Sequence, residues 1–301
     1  MSVDTQLICA SNLAYAIEVA GNVPELAPYF AGCSLISPIA GFVAGSGHID
    51  AAFVGTGPDV VVVAFRGTLP IDSSDTKKSL RDWLNNLEDI LVPGENLPGR
   101  VHQGFLRSID GLWPDLLAAV KKGFDQNPRA RLLVTGHSKG GAAAHLAAAR
   151  FAKSGAVNGA NITVRSFEGA HPGDQAFADG YGQLVPDVIR YEYQDDLVPH
   201  LPPSILVRHL FKNVDLFSAL RAADNAVDYA PAGRLQFIDW EGTMRDQSLP
   251  LSTERFFHLS QKLTGGKFGE IVEDHSIRNS SGCLRVIWPD GYVPPEPTTT
   301  P

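Results

Sequence analysis

A serine hydroxyl becomes a useful nucleophile only when a base takes its proton and nearby donors receive the oxyanion it creates. One stretch of the chain has residue types suited to that task. The apolar run Leu132-Leu133-Val134-Thr135 leads into Gly136-His137-Ser138-Lys139-Gly140-Gly141, and an alanine-rich segment follows. The order predicts a buried strand, a sharp turn and a helix, the arrangement known as a nucleophile elbow. Ser138 would sit in a strained turn, its hydroxyl projecting beyond the strand end. Gly136 and Gly140 lack the Cβ atoms that would keep strand and helix apart. The helix N-terminus then aims backbone N–H groups at the space above the serine. Gly-x-Ser-x-Gly alone is a common pattern, so its flanks make it informative. The preceding run suits a strand covered on both faces, and Ala142, Ala143, Ala144, Ala147, Ala148 and Ala149 favour a helix with little bulk.

A base for Ser138 needs a carboxylate to orient it. With a nucleophile elbow the chain order is serine, acid, histidine, which prunes the nine histidines. His48, His102 and His137 precede the serine, and His145 lies on the elbow helix. His171 leaves room for no strand-end acid except Glu168. The acid belongs at the carboxyl end of a sheet strand. Tyr191-Glu192-Tyr193-Gln194-Asp195-Asp196-Leu197-Val198-Pro199 meets that requirement, and residue patterns leave Asp195 and Asp196 equally eligible. Of the later histidines, His200 is too close to Asp196, His209 falls in an apolar helical pattern, and His258 stands among Phe256, Phe257 and Leu259. His275, on a late loop after a predicted helix, is the best candidate by chain order. The backbone N–H of Lys139 and that of Thr68, in Arg66-Gly67-Thr68 after a strong early strand, are the candidate oxyanion donors. Arg66 is read as structural.

These residues need elements to hold them. Residues 5–20 carry an amphipathic helical pattern, 48–56 a strand, and Asp59–Phe65 a strong buried strand. Leu69–Arg81 is a polar insertion, Leu80–Ile90 looks helical, and Val101–Phe105 leads into a helix to about Lys122, with Pro114 early in it or kinking it. After the elbow come strands at Ile162–Phe167, Val188–Tyr193 and Arg234–Trp240, and helices at Asp174–Tyr181, Ser204–Ala223 and Arg255–Leu263. The stretch 21–38, broken by prolines and glycines, yields no assignment. Alternation of strand and helix predicts an α/β fold, a central mostly parallel sheet with helices on both faces. Residues 1–293 are expected to form one domain, with covering elements at 69–81 and 204–223. The Pro/Thr-rich 294–301 is expected to be a disordered tail.

Bulk properties exclude several classes. The chain has 301 residues, 44% of them hydrophobic, with net charge −8, and a pI near 5.6. That supports a large core and argues against nucleic-acid binding, since the basic residues form no run. No stretch approaches the roughly 18 apolar residues of a membrane helix. No signal-peptide pattern is visible, so a cytoplasmic location is expected, with secretion left open. Cys9, Cys33 and Cys283 rule out a disulfide framework and leave a single bridge undecided. None has metal-ligand spacing, and no metal or cofactor is expected.

Assembled in order, Phe65-Arg66-Gly67-Thr68, Asp82-Trp83, Val101-His102-Gln103-Gly104-Phe105, Gly136-His137-Ser138-Lys139-Gly140-Gly141, Asp196-Leu197-Val198-Pro199-His200-Leu201-Pro202-Pro203 and Asp274-His275 resemble the class 3 lipase family. The likeness spans about residues 60–280. It implies an α/β-hydrolase fold and metal-free hydrolysis of acylglycerol-type or other fatty acyl esters. By resemblance Ser138 is the nucleophile, Asp196 the acid, His275 the base, and Thr68 and Lys139 the oxyanion residues. The family's acid directly precedes its hydrophobic-Val-Pro run, which selects Asp196 over Asp195. Two departures stand out. Lys139 replaces the usual leucine and adds a charge at the pocket mouth. Residues 70–81 offer little apolar face to bury against a lipid surface, so interfacial activation is not expected unless Ser204–Ala223 plays the lid's part. The same triad would also serve an acyltransferase or a feruloyl-type esterase, and a non-catalytic binding protein is the remaining alternative. The expected partner is a small-molecule or lipid ester, with transient contact to a lipid interface and no obligate protein partner.

Overall fold

A valine run sets the two faces of the sheet. In Val60–Phe65 successive side chains must point to opposite faces. Val61, Val63 and Phe65 enter one buried cluster, while Val62 and Ala64 enter another. Leu132 and Val134 share the first cluster and Leu133 the second. Both faces of the central strands are therefore covered, which is why they read as apolar runs with no alternation.

A computed structural model describes residues 1–17, 33–45, 49–68, 90–205, 228–277 and 282–288. Among them lie strands β1 (Ile36–Ala44), β2 (Asp50–Thr56), β3 (Val60–Phe65), β4 (Leu91–Pro93), β5 (Arg100–His102), β6 (Arg131–His137), β7 (Ile162–Phe167), β8 (Gly173–Asp174), β9 (Asp187–Tyr193), β10 (Tyr229–Ala230), β11 (Arg234–Ile238) and β12 (Met244–Asp246). The main sheet has the order β1-β2-β3-β6-β7-β9-β11-β12. From β3 to β11 the strands pair in parallel; β1, β2 and β12 pair antiparallel at the two sides. The α/β expectation holds. A small sheet, β10-β8-β5-β4, was not foreseen from sequence.

The helices Gln103–Gln126 and Lys139–Lys153 cover one face. The first runs unbroken past Pro114, four residues beyond its expected end at Lys122. The helix Val3–Leu13 and a 3₁₀ turn at Ala14–Ala16 cover the other face. Leu7 to Leu13 are all buried, including Ser11 and Asn12. The N-terminal segment is thus an interior element, more enclosed than an amphipathic helix would be. Cys9 is bridged to Cys33, and Cys283 is free and buried.

β1 begins at the end of the unassigned stretch 21–38 and runs beyond it. It contains Pro38 and Gly41, which argue against a strand when read locally. The sheet accommodates them because β1 is its edge, with an irregular register between Ile36 and Ala40. The expected elements at 69–81, most of 80–90, 206–223 and 294–301 lie outside the described residues, as does Asp82-Trp83.

Candidate active site

The parallel strands deliver their functional groups at their carboxyl ends, the usual site of chemistry in such sheets. Three of those ends turn abruptly through non-glycine residues of positive φ. Ser138 follows β6 with φ 59°, Glu168 follows β7 with φ 52°, and Gln194 follows β9 with φ 39°. Such backbone is costly unless the surroundings enforce it. Around Ser138 they do. A Cβ on Gly136 would lie 2.1 Å from the Gly140 carbonyl oxygen, and one on Gly140 would lie 2.4 Å from that of Phe65. A Cβ on Gly141 would come within 2.8 Å of Gly169 Cα. Strand, elbow helix and neighbouring loops meet backbone to backbone. The Ser138 N–H also donates to the Phe167 carbonyl, at 3.1 Å.

Ser138, Asp196 and His275 come together. His275 Nε2 lies 2.9 Å from Ser138 Oγ, and His275 Nδ1 lies 2.8 Å from Asp196 Oδ2. The other Asp196 oxygen accepts the Val198 N–H at 2.8 Å. Burial pushes the Asp196 carboxyl up, while the His275 ring and the Val198 N–H favour its charged form. With Nδ1–H held by the carboxylate, Nε2 is left to accept the serine proton.

Asp195, equally eligible on sequence, faces the other way. Its Oδ2 accepts from Trp240 Nε1 at 3.0 Å and pairs with Lys262 Nζ at 2.9 Å. Both lie in the turn after β9 and their side chains diverge, so Asp196 alone of the pair reaches His275. Of the other histidines weighed, His102 caps the helix Gln103–Gln126 by accepting the Phe105 N–H. His145 lies between Tyr181 and Ser166, and burial pushes its pKa down to about 3. His258 stacks on Trp240 at 3.8 Å. His48 and His209 lie outside the described residues.

Lys139 is the first residue of the elbow helix, so its N–H has no acceptor within the helix. Its ammonium does not project freely at a pocket mouth. Nζ pairs with Asp50 Oδ1 at 2.7 Å and reaches the Ile49 carbonyl at 3.3 Å. The charge expected from sequence is therefore largely neutralised. Thr68 is exposed on the loop after β3. That loop lies tight against the elbow: a Cβ on Gly67 would come 2.8 Å from the His137 carbonyl oxygen and 2.1 Å from the Tyr15 hydroxyl. The buried Arg66 guanidinium donates to the carbonyls of Ile17 and Ile49, a structural use.

Sequence reasoning missed a layer beneath the base. The His137 and His275 rings stack at 4.6 Å. His137 Nε2 lies 2.7 Å from Glu168 Oε2 and 2.9 Å from the His275 carbonyl, and Nδ1 lies 2.6 Å from the Tyr15 hydroxyl. Burial, then the nearby Asp196 and Asp274, push the Glu168 carboxyl well up. No local pattern marks Tyr15, and the sequence offers Glu168 only as a strand-end acid ahead of His171. Ligand-type atoms of His137, Glu168 and His275 lie within 4.8 Å of one another, a loose metal-like spacing. The nitrogens of the set are engaged within the protein, His137 Nε2 by Glu168 and the two of His275 by Asp196 and Ser138.

Residues 62–205 match the family model described as lipase (class 3). Over 152 residues, half of this chain, the sequence is 31% identical to a lipase of Rhizomucor miehei, covering 39% of that protein. A secreted mono- and diacylglycerol lipase of Fusarium solani is 30% identical over 146 residues, with 48% of this chain and 40% of the relative aligned. The chain thus aligns with about two fifths of each relative's length. In three dimensions the Rhizomucor miehei lipase–propeptide complex superposes with a TM-score of 0.59 and 23% identity, covering 80% of this chain and 69% of that one. A triacylglycerol lipase described as having a serine protease triad gives a TM-score of 0.60 at 24% identity, over 78% of both chains. Over residues 62–205, just under half of its length, the chain is similar to the class 3 lipases, and it shares the α/β fold of the fungal lipases it superposes on.

Proposed function

Proceeding from that kinship, we propose that this protein is a serine carboxylic-ester hydrolase acting on acylglycerol-type or other fatty acyl esters. The observation that carries the reading is the hydrogen-bonded line Ser138–His275–Asp196, with the serine in a strained turn at a helix N-terminus. His275 Nε2 accepts the proton as Ser138 Oγ attacks the ester carbonyl. The N–H groups of Lys139 and Thr68 receive the oxyanion. Protonated His275, stabilised by Asp196, returns the proton to the leaving alcohol. Water then attacks the acyl-enzyme with His275 again as base, which releases the acid and restores the serine. The substrate class rests on what the named relatives act on. A short-chain soluble ester and a long-chain acylglycerol both suit this chemistry.

The test is hydrolysis of p-nitrophenyl esters from short to long acyl chains, with Ser138→Ala in parallel. The variant should lose about 10⁴-fold or more in kcat while keeping its fold. Near-normal turnover by it would remove Ser138 from the role. Rates that climb with chain length mark a lipase, and rates that peak on short chains mark an esterase.

We also place the protein in an oxidising compartment, because a Cys9–Cys33 bridge persists there and is rare in the cytosol. Alkylation in denaturant without reductant should label Cys283 alone; three labelled cysteines in protein isolated from its native host would return it to the cytoplasm.

A further inference from the structure

Outside the triad, one cation stands between the two loops that carry the acid and the base. Lys262 lies in the last turn of the helix Leu249–Thr264. Its Nζ is 2.9 Å from Asp195 Oδ2 and 2.7 Å from Asp274 Oδ2, with Glu270 at 3.7 Å. Asp195 immediately precedes Asp196, and Asp274 immediately precedes His275. A single ammonium thus joins the residue before the acid to the residue before the base. The Asp195 carboxylate has a side-chain exposure of 1%, and that of Asp274 12%. Charges so enclosed need a partner, unlike an ordinary surface pair. Burial disfavours the charge on Lys262, but its bonds to Asp274 and Asp195 outweigh that and hold the ammonium above its usual range.

The remaining contacts fix this cation in place. Trp240 donates to the same Asp195 oxygen and stacks on His258, which belongs to the same helix as Lys262. The Lys267 N–H closes back on the Lys262 carbonyl at 2.9 Å, leading into the helix Phe268–Asp274 that ends at His275. Among the described residues, this ammonium is the side-chain link between the 195–196 turn and the 274–275 turn besides the triad's own Asp196–His275 bond.

We propose that Lys262 is a positioning residue for the base: by clasping Asp195 and Asp274 it fixes the His275 loop against the Asp196 loop and balances the negative charge beside the imidazole. The proposal rests on the Ser138–Asp196–His275 reading. Around the imidazole stand Asp196 at Nδ1, Ser138 at Nε2, the stacked His137 with Glu168 behind it, and Asp274 before it in the chain. Glu192 lies near Asp196, paired with Arg190 and Arg255. Lys262 faces Asp195, Asp274 and Glu270, the last also paired with Lys267.

The two ends of the clasp make opposite predictions. Lys262→Met leaves two unbalanced carboxylates near His275, which favours the imidazolium. The acidic limb of the kcat/KM profile should move up by about half a pH unit. Asp274→Asn removes a negative charge and should move the limb down. Both should lower kcat by about tenfold through a loosened base, while Lys262→Arg should keep most of the wild-type rate. The experiment is the pH dependence of p-nitrophenyl ester hydrolysis by wild type, Ser138→Ala and these three variants. Opposite shifts with retention in Lys262→Arg support the proposal. If ester hydrolysis depends on Ser138 but the profiles of Lys262→Met and Asp274→Asn overlay the wild type, the clasp has no such role. The same holds if both limbs move in one direction. If wild-type hydrolysis is independent of Ser138, the triad reading fails and the proposal falls with it. Should Lys262→Met not fold, Asp274→Asn alone decides: an unmoved limb overturns the proposal.

Discussion

Around Ser138, backbone meets backbone: Gly136, Gly140 and Gly141 close on the elbow helix, the end of β3 and the turn after β7 at distances no side chain could occupy. Around His275, side chains meet side chains: Lys262 bridges the loops of Asp195 and Asp274, and Trp240 donates to Asp195. The nucleophile is buried at the carboxyl end of β6, and the charge next to it, Lys139, is paired with Asp50. The base sits at the rim, its loop joined to the sheet by charges. Packing of this kind tolerates almost no change in volume but is indifferent to charge and salt. A charged clasp tolerates changes of shape but depends on protonation and on both partners being present. One hydrogen bond, His275 Nε2 to Ser138 Oγ, has to span these two kinds of support.

The difference is broken most severely from the elbow side. In Gly136→Ala the new methyl would stand 2.1 Å from the Gly140 carbonyl oxygen, which is backbone and has no rotamer to escape into. Strand and helix would have to separate, at a cost of about 3 kcal/mol. The serine would move with them, and a displacement of even 1 Å costs about 10²-fold in rate. Thermal unfolding and ester hydrolysis should both show the loss. A Gly136→Ala variant with wild-type melting and turnover would mean the elbow is not held by this contact. Lys262→Met, by contrast, should lower the rate about tenfold with a displaced pH profile.

Legibility in the sequence followed the same division. The elbow is a local object. Its glycines, serine and apolar run sit within ten residues, so spacing alone predicts a strand, a turn and a helix, and the strand and helix are found there. The central strands were readable for a related reason: burial on both faces writes itself as continuous runs such as Val60–Phe65. β1 was not, because Pro38 and Gly41 argue against a strand unless one knows it is an edge. The base side is assembled from residues 195, 240, 262 and 274, far apart in sequence. Lys262 reads there as one more cation near a helix end, where a cation is unremarkable. Asp195 and Asp196 were indistinguishable by pattern and only the family resemblance favoured one; their side chains diverge in the structure. Tyr15 and the pairing of His137 with Glu168 have no local signature, since Tyr15 is brought in by the N-terminal segment covering the sheet and Glu168 by the pairing of β7 beside β6.

Lys139 is where the contrast can be sharpened, because it is the charged residue placed directly at the elbow. Its two ends have separate duties. The N–H belongs to the helix N-terminus and is unaffected by the side chain. The ammonium binds Asp50, which also accepts the Ser108 hydroxyl at 2.6 Å. Lys139→Met keeps the N–H and leaves Asp50 with Ser108, so the cost falls on stability, about 1 kcal/mol for a weakened buried acceptor. Turnover on a soluble ester should stay within about threefold, since the loss of one oxyanion donor would cost about 10²–10³. A stability change with nearly constant kcat would mean that the elbow works through backbone alone, charge included. A fall of two orders of magnitude in kcat would instead mean that the ammonium leaves Asp50 during the reaction to meet the developing oxyanion, and the elbow would then share the base side's dependence on charge.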